Sequence, residues 1–400
     1  MKKYLLLSLM LSSVFALQAQ DTVSFTEYWK NGKLATQGFK TVKDGLKTGK
    51  WTYYFESGKV ESQGEFNEKG WKVGQWQWFY KNGQLKKQEV YTGNGENKAF
   101  YENGRPYYTC SVVDSKKQGD YKEYHKNGKI KMQGTYKDDE LEGIATWWYS
   151  NGNMDMTGTI LNGKKNGKWS YFYMDNGKKE SEGSYIADKE TGTWTYWYKT
   201  GEKWREGQYN NGQREGLWKT YYESGEVLHK GSYVSGKEEG IWESYFQGGK
   251  LQMRGAFSKG QMNGKWEMFN EDGSHKTTVS YKEGIKHGTE ILYTENGEEY
   301  QKADYKDGVL NGRWEKRYNG ILVEQGSYTE GNKVGMWIFY DERGNKVREQ
   351  GFKDGKPDGK WVEYTRGSKK LSEGEYKEGQ KTGIWRTYNE KGEVLNEIKY

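Results

Sequence analysis

The chain has 400 residues and a formal net charge of +7, with 63 Lys and Arg set against 56 Asp and Glu. Acidic and basic residues are interleaved in almost every segment, a solvated mixed surface that excludes the concentrated basic face nucleic-acid binding requires. The single cysteine, Cys110, excludes an intramolecular disulfide, and a mean hydropathy of −1.16 with 55 glycines leaves little material for an aliphatic core.

The first twenty residues read as a secretory signal peptide. Lys2 and Lys3 precede the apolar run LLLSLMLSSVFAL, Leu5 to Leu17, and the small Ala19 follows. The run of 13 residues falls short of the roughly 20 needed to cross a bilayer as a helix. Cleavage is expected around Ala19 or Gln20, which leaves a charge of +5 and sends the chain to the periplasm, outer envelope or extracellular space. No cysteine in this segment offers a lipid anchor.

From residue 21 onward the composition runs against disorder, because 18 Trp, 34 Tyr and 13 Phe are far more rings than disordered chains carry. Rings suit strands, and glycines with only two prolines suit tight turns. Self-comparison shows the reason. After a partial unit around Phe25, Tyr28 and Gly32, a glycine opens each of fifteen units, from Gly49, Gly74 and Gly95 to Gly359 and Gly383, at steps close to 24 residues. Two residues after it stands Trp in eleven of the fifteen, as in Trp51, Trp218 and Trp385. Five after it stands a ring in all but one, as in Tyr54, Phe79 and Tyr221. A second glycine follows in pairs such as Asn82-Gly83, Asn127-Gly128 and Ser224-Gly225, and then a G-x-Y ending in Tyr136, Tyr185, Tyr209 or Tyr233.

Asn-Gly between two ring-bearing runs is the signal of a β-hairpin closed by a type I′ turn. A return loop such as Lys306 to Gly312 leads to the next unit. The expected fold is therefore all-β: an elongated single-layer antiparallel β-meander, a ribbon of about fifteen 24-residue hairpin units over residues 21–400. At about 4.8 Å per strand it extends roughly 150 Å. Positions two and five differ in parity, so either a bulge brings their rings together or both faces carry rings. The unit near 95–118 is short, lacks the Trp and holds Pro106 and Cys110, which predicts a bend or weak joint. Tyr121, Ala145 and Glu290 replace the Trp elsewhere.

The pattern G-x-W-x-x-Y followed by G-x-Y, as in Gly216-Leu217-Trp218 and Gly231-Ser232-Tyr233, resembles the MORN repeat, and more closely its bacterial, antitoxin-like variant. The resemblance covers residues 24–400. It implies an elongated β-meander that works as an interaction or membrane-associating module, and more weakly an antitoxin or immunity role.

No catalytic, metal or cofactor constellation stands out. His125, His229, His275 and His287 fall in different units without ligand spacing and read as scattered surface groups. Asp and Glu recur in turns such as Lys353-Asp354-Gly355. The paired carboxylates of a glycosidase need an enclosed site that a ribbon does not offer. The regular rings read as core, while Trp71, Trp78, Trp147 and Trp204 are the candidate exposed aromatic contacts, Trp78 and Trp147 sharing a fourth-position stripe with Tyr53, Tyr171 and Tyr196. The expected function is a non-enzymatic scaffold for a protein partner, without cofactor, nucleic acid or small-molecule substrate. The alternative is a carbohydrate- or cell-wall-binding protein, since G-x-W-x-x-Y units also resemble choline- and glucan-binding repeats; a membrane surface is a further candidate partner.

Overall fold

Period-two alternation between glycine-marked turns gives strands, and strands are what forms. The computed structural model describes residues 21–400, and the expected signal segment 1–20 lies outside the described residues. Thirty-two strands, from β1 (Thr22–Tyr28) to β32 (Val394–Lys399), and no helix occur among the described residues. The chain divides into two compact units. Among the described residues, one is 21–166 with Met174–Gly177, and the other is Gly167–Tyr173 with Lys178–Tyr400. The first holds the meander β1 to β12 (Met154–Leu161), in which each strand pairs antiparallel with the next. The second continues in the same way from β13 (Lys164–Phe172) to β32. Between β6 (Leu85–Val90) and β7 (Gly95–Phe100) the ladder shrinks to two residue pairs.

The two turns of each unit are assigned the other way round from the sequence expectation. At Asn82-Gly83, Asn127-Gly128 and Ser224-Gly225 only the glycine has positive φ. The turn is a type I turn closed by a left-handed glycine, as in Gly83 N–H to Tyr80 O at 2.8 Å and Tyr80 N–H to Gln84 O at 2.8 Å. The two-residue type I′ turns sit at the return loops, where both residues are left-handed: Asn211 (φ 52°) with Gly212 (φ 82°), and Asp307 (50°) with Gly308 (84°). Asparagine is favoured at the first turn for a different reason. Asn127 Oδ1 accepts from Lys129 N–H at 3.0 Å, and its Nδ2 donates to Ser150 O of the next turn at 2.7 Å. Along that edge Tyr101, Tyr198 and Tyr222 donate their hydroxyls to the carbonyls of Tyr124, Tyr221 and Tyr245 at 2.7, 2.7 and 2.8 Å, tying successive hairpins together.

The core lies on one face and is built on a single contact. In the G-x-Y strand the glycine has no Cβ, and the Trp of the following strand lies flat against it. A Cβ on Gly207 or Gly255 would come within 2.2 or 2.0 Å of the Trp218 or Trp266 ring. The register skips at this point: Glu206 pairs with Lys219 and Gln208 with Glu215, a bulge that carries the left-handed Gly216. The carbonyl this leaves free is taken by the indole: Trp218 Nε1 donates to Gln208 O at 3.0 Å, Trp51 to Phe39 O at 3.0 Å and Trp266 to Ala256 O at 3.1 Å. Trp51, Trp76, Trp169 and Trp266 are 1% exposed.

The G-x-Y rings bridge one Trp to the next. Tyr209 meets Trp194 and Trp218 at centroid distances of 6.0 and 5.1 Å, and Tyr233 meets Trp218 and Trp242 at 6.2 and 5.2 Å, all edge-on. Such pairs contribute about 0.5–1.5 kcal/mol each beyond area burial. The parity question resolves to rings on both faces. Trp51 stacks with Tyr53 on one face (6.0 Å), while the position-five hydroxyls bond carboxylates on the other, as Tyr245 does with Glu243 at 2.7 Å.

Where the glycine is replaced, the lock changes. Cys110 faces Tyr121, and Val279 faces Glu290, so both positions depart together.

Gly255→Ala should cost about 1–3 kcal/mol, because the Trp266 ring has nowhere to move. Gly367→Ala, whose nearest neighbour is 3.9 Å away, should change stability by less than about 0.5 kcal/mol. Hydrogen exchange in the flanking strands, β20 (Leu251–Ser258) and β21 (Gln261–Phe269) for Gly255 and β29 (Lys356–Tyr364) and β30 (Lys370–Lys377) for Gly367, reads the difference, and equal effects of the two substitutions would remove the glycine contact as the organising constraint.

Candidate binding face

Two residues before the opening glycine, on the Trp face, several units place a cation over three rings. Lys47 Nζ lies 4.7, 5.0 and 5.7 Å from the rings of Trp51, Tyr53 and Phe66. Lys72 lies 4.4, 5.0 and 5.3 Å from Trp76, Trp78 and Tyr91, and Lys333 lies 3.7 Å from Trp337. Each contact is worth about 0.5–1 kcal/mol where solvent reaches it. Burial, with Lys87 close by, lowers the Lys72 ammonium below its ordinary value. Where Glu290 stands in place of the Trp, the same lysine position turns to an ion pair, Lys286 Nζ to Glu290 Oε1 at 2.6 Å.

The fourth position shares this face but not its constancy. It is Tyr53, Trp78, Trp147, Tyr171 or Tyr196 in some units and Thr220, Ser244, Met268 or Lys316 in others. Registration sets each against one residue of the neighbouring strand, Ser62 against Trp78 and Met132 against Trp147. The Trp recurs in eleven of fifteen units and this row is more varied, so the row gives each hairpin its chemical identity.

The four candidate tryptophans fall in different surroundings and do not form one site. Trp71 is 66% exposed and sits just before β5 (Lys72–Phe79), its N–H bonded to Asn67 Oδ1 at 3.0 Å. Trp78 is half-buried under Lys87, whose Nζ is 4.2 Å from its ring centroid. Trp147 is half-buried in β11 (Glu140–Trp148). Trp204 is the extra residue of a bulge in β16 (Lys203–Asn210), 37% exposed, edge-on to Tyr196 at 6.2 Å.

The opposite face repeats a carboxylate held by lysine and tyrosine. Glu182 takes Lys168 at 2.8 Å, Lys179 at 2.6 Å and Ser170 Oγ at 2.9 Å. Burial works against its charge, yet these hydrogen bonds outweigh it and hold the carboxyl at about 2, against an ordinary 4.5. Glu243 is held low by hydrogen bonds from Tyr245 and Lys230, and Glu373 by Lys370 and Tyr388.

His229 is not the scattered surface group its sequence position implies. It is half-buried beside Trp242 at 6.3 Å, and burial with the neighbouring Arg205 lowers its pKa. His125 belongs to the edge ladder, its Nε2 2.8 Å from Trp148 O, and His287 lies 3.3 Å from Asp307. No group of three His, Cys, Asp or Glu suited to a metal occurs among the described residues. Cys110 is buried, and burial pushes its thiol up.

A tandem array of β-hairpins with a recurrent ring lock and a variable fourth-position row is a repeat scaffold suited to binding. Residues 47–68, 72–92, 117–138, 141–162, 190–211 and 214–235 match the family model of the MORN repeat variant, and the chain carries MORN repeats over these segments. No curated protein matches it. Among solved structures it is similar to parts of the crystal structures of TcdB2-TccC3-Cdc42 (9% identity, TM-score 0.16) and TcdB2-TccC3-TEV (10%, 0.17), and to part of a structure of a Photorhabdus luminescens Tc holotoxin pore carrying a TccC3 substitution (10%, 0.16). In each, 94% of this chain and 23% of the other is covered, so the chain spans about a quarter of their length. Likeness at that level carries no argument.

Because the folded pKa of Glu182 is depressed, its stabilising contribution is complete above 4.5 and is lost as pH falls towards 2. Glu182→Gln should therefore lower stability at pH 7 and converge with the parent protein near pH 2, as followed by denaturant titration across that range.

Proposed function

We propose that this protein is an exported, non-enzymatic scaffold that binds a protein partner through the repeated faces of its hairpins. The observation that carries the reading is the division between a sealed ring core and variable rows. Most of the tryptophans that recur from unit to unit have their faces shut against glycines and neighbouring rings. The fourth-position row, the lysine seats and the carboxylate clusters are presented at a spacing of two strands, roughly 10 Å, along each unit. A surface of that kind suits an extended polypeptide or a partner with its own repeat. Sugar stacking would need open ring faces, and in most of the recurrent tryptophans these are closed, which favours protein over carbohydrate. The immunity-like role has only fold-forming residues behind it and is the weaker reading.

Crosslinking followed by affinity capture from the envelope fraction of the source cell should return a specific protein; recovery of none would overturn the proposal. Titration of tryptophan fluorescence with peptidoglycan or soluble glucans should stay flat. Mass measurement of the exported protein should show the chain starting near residue 20 or 21, and an intact amino terminus would remove the export part of the reading.

A further inference from the structure

Among the units without a ring at the fourth position, one has open space beside it. Across β16, β17 (Gln213–Tyr221) and β18 (Val227–Val234), Arg205 pairs with Thr220 and Thr220 with His229. Tyr196 occupies the fourth position one unit earlier, whereas here the residue is the small, buried Thr220. The missing ring leaves a cavity of about 210 Å³ on the Trp face, bordered by Trp204, Arg205, Arg214, His229 and Trp242 around Thr220.

Two guanidinium groups border this cavity, and rings hold both. The Arg205 guanidinium carbon lies 4.5 Å from the Tyr196 centroid and 4.7 Å from that of Trp204. That of Arg214 lies 4.8 Å from Trp218, and Arg214 Nη1 donates to the Tyr233 hydroxyl at 2.9 Å. Neither arginine has a carboxylate partner among the described residues. Glu206, next to Arg205 in sequence, is on the other face and is engaged by Lys203 at 2.7 Å and by the Tyr221 hydroxyl. Arg205 Nε is buried and has no hydrogen-bond partner. A buried donor left unmade costs about 1–3 kcal/mol, more on a charged group. Two permanent cations beside one cavity add mutual repulsion to that cost. An oxyanion relieves both, and a guanidinium fork matches the two oxygens of a carboxylate. The Trp204, Trp218 and Trp242 rings make up much of the remaining wall, beside the polar tips of Thr220, His229 and Tyr233, which fits an oxyanion carried on a largely apolar body.

We propose that this cavity is a carboxylate-binding site, in which Arg205 and Arg214 take the oxygens and the Trp204 and Trp242 rings flank the attached carbon chain. It rests on the scaffold reading for its source, the terminal or side-chain carboxylate of a partner polypeptide.

Isothermal titration of the full chain with N-acetylphenylalanine, its amide and inorganic phosphate tests it. The carboxylate should bind saturably, with the amide at least about tenfold weaker. Thr220→Tyr restores the ring that other units carry and should abolish binding with an unchanged melting temperature. Arg205→Gln should weaken binding at least about tenfold. No saturation by the carboxylate up to about 10 mM, phosphate binding as tight as the carboxylate, or full affinity in both variants would overturn the site. Failure here with successful partner capture removes the cavity and leaves the scaffold. Binding here with failed capture keeps the cavity and makes a free small carboxylate its source.

Discussion

The contact of a tryptophan face with a glycine that has no side chain organises this molecule. A chain poor in Leu and Ile cannot build a thick aliphatic interior, so stabilisation has to come from large rings lying close to the backbone. The glycine lets the indole lie on the strand, and the bulge opposite it frees a carbonyl that the indole N–H takes up. The edge of that ring then meets the G-x-Y ring, and the chain of rings passes from Trp194 through Tyr209, Trp218 and Tyr233 to Trp242. Departures obey the same constraint. Where Ala303 and Gln350 fill the glycine position, they pair directly with Trp314 and Trp361; those rings are less buried, and the next residues, Glu315 and Val362, are the buried ones instead.

Because a recurrent ring contact supplies much of the packing in most units, the other positions are freer to vary. Repeat arrays are stabilised by each unit and its neighbours, so substitution in an outward row disturbs little else. The Trp face uses this freedom in its lysine seats and its fourth-position row, the opposite face in its Glu, Lys and Tyr clusters. The ion pair of Lys286 with Glu290 shows how far a unit can change its chemistry while its strands keep their pairing. A binding role follows from that economy more readily than catalysis, which needs groups from several directions to converge on one point.

Much of this architecture was legible in the residues. The 24-residue period, the hairpin as its unit, the burial of the recurrent Trp and the all-β meander are all consequences of spacing. The turn types were not. Asn-Gly reads as type I′ wherever it stands, yet at Asn127-Gly128 only glycine is left-handed, because the asparagine is needed for its side-chain bonds along the edge. The return loops, including Asn211-Gly212 and Asp307-Gly308, take the type I′ geometry. The candidate tryptophans scattered for a related reason: Trp204 is the unpaired residue of a bulge, and the strand alternation alone does not show where the pairing skips.

The sequence by itself determined the strand period, the recurrent rings as core and the membership in a repeat class, since each depends on residues a short, regular distance apart. The tertiary structure alone decided which side chains meet across strands. Arg205, Thr220 and His229 lie on three successive strands, and their adjacency arises from hydrogen-bond register rather than from any motif. Register is a property of paired backbones, shifted by bulges at every hairpin, and so the cavity beside Thr220 became visible only once the strands were laid side by side.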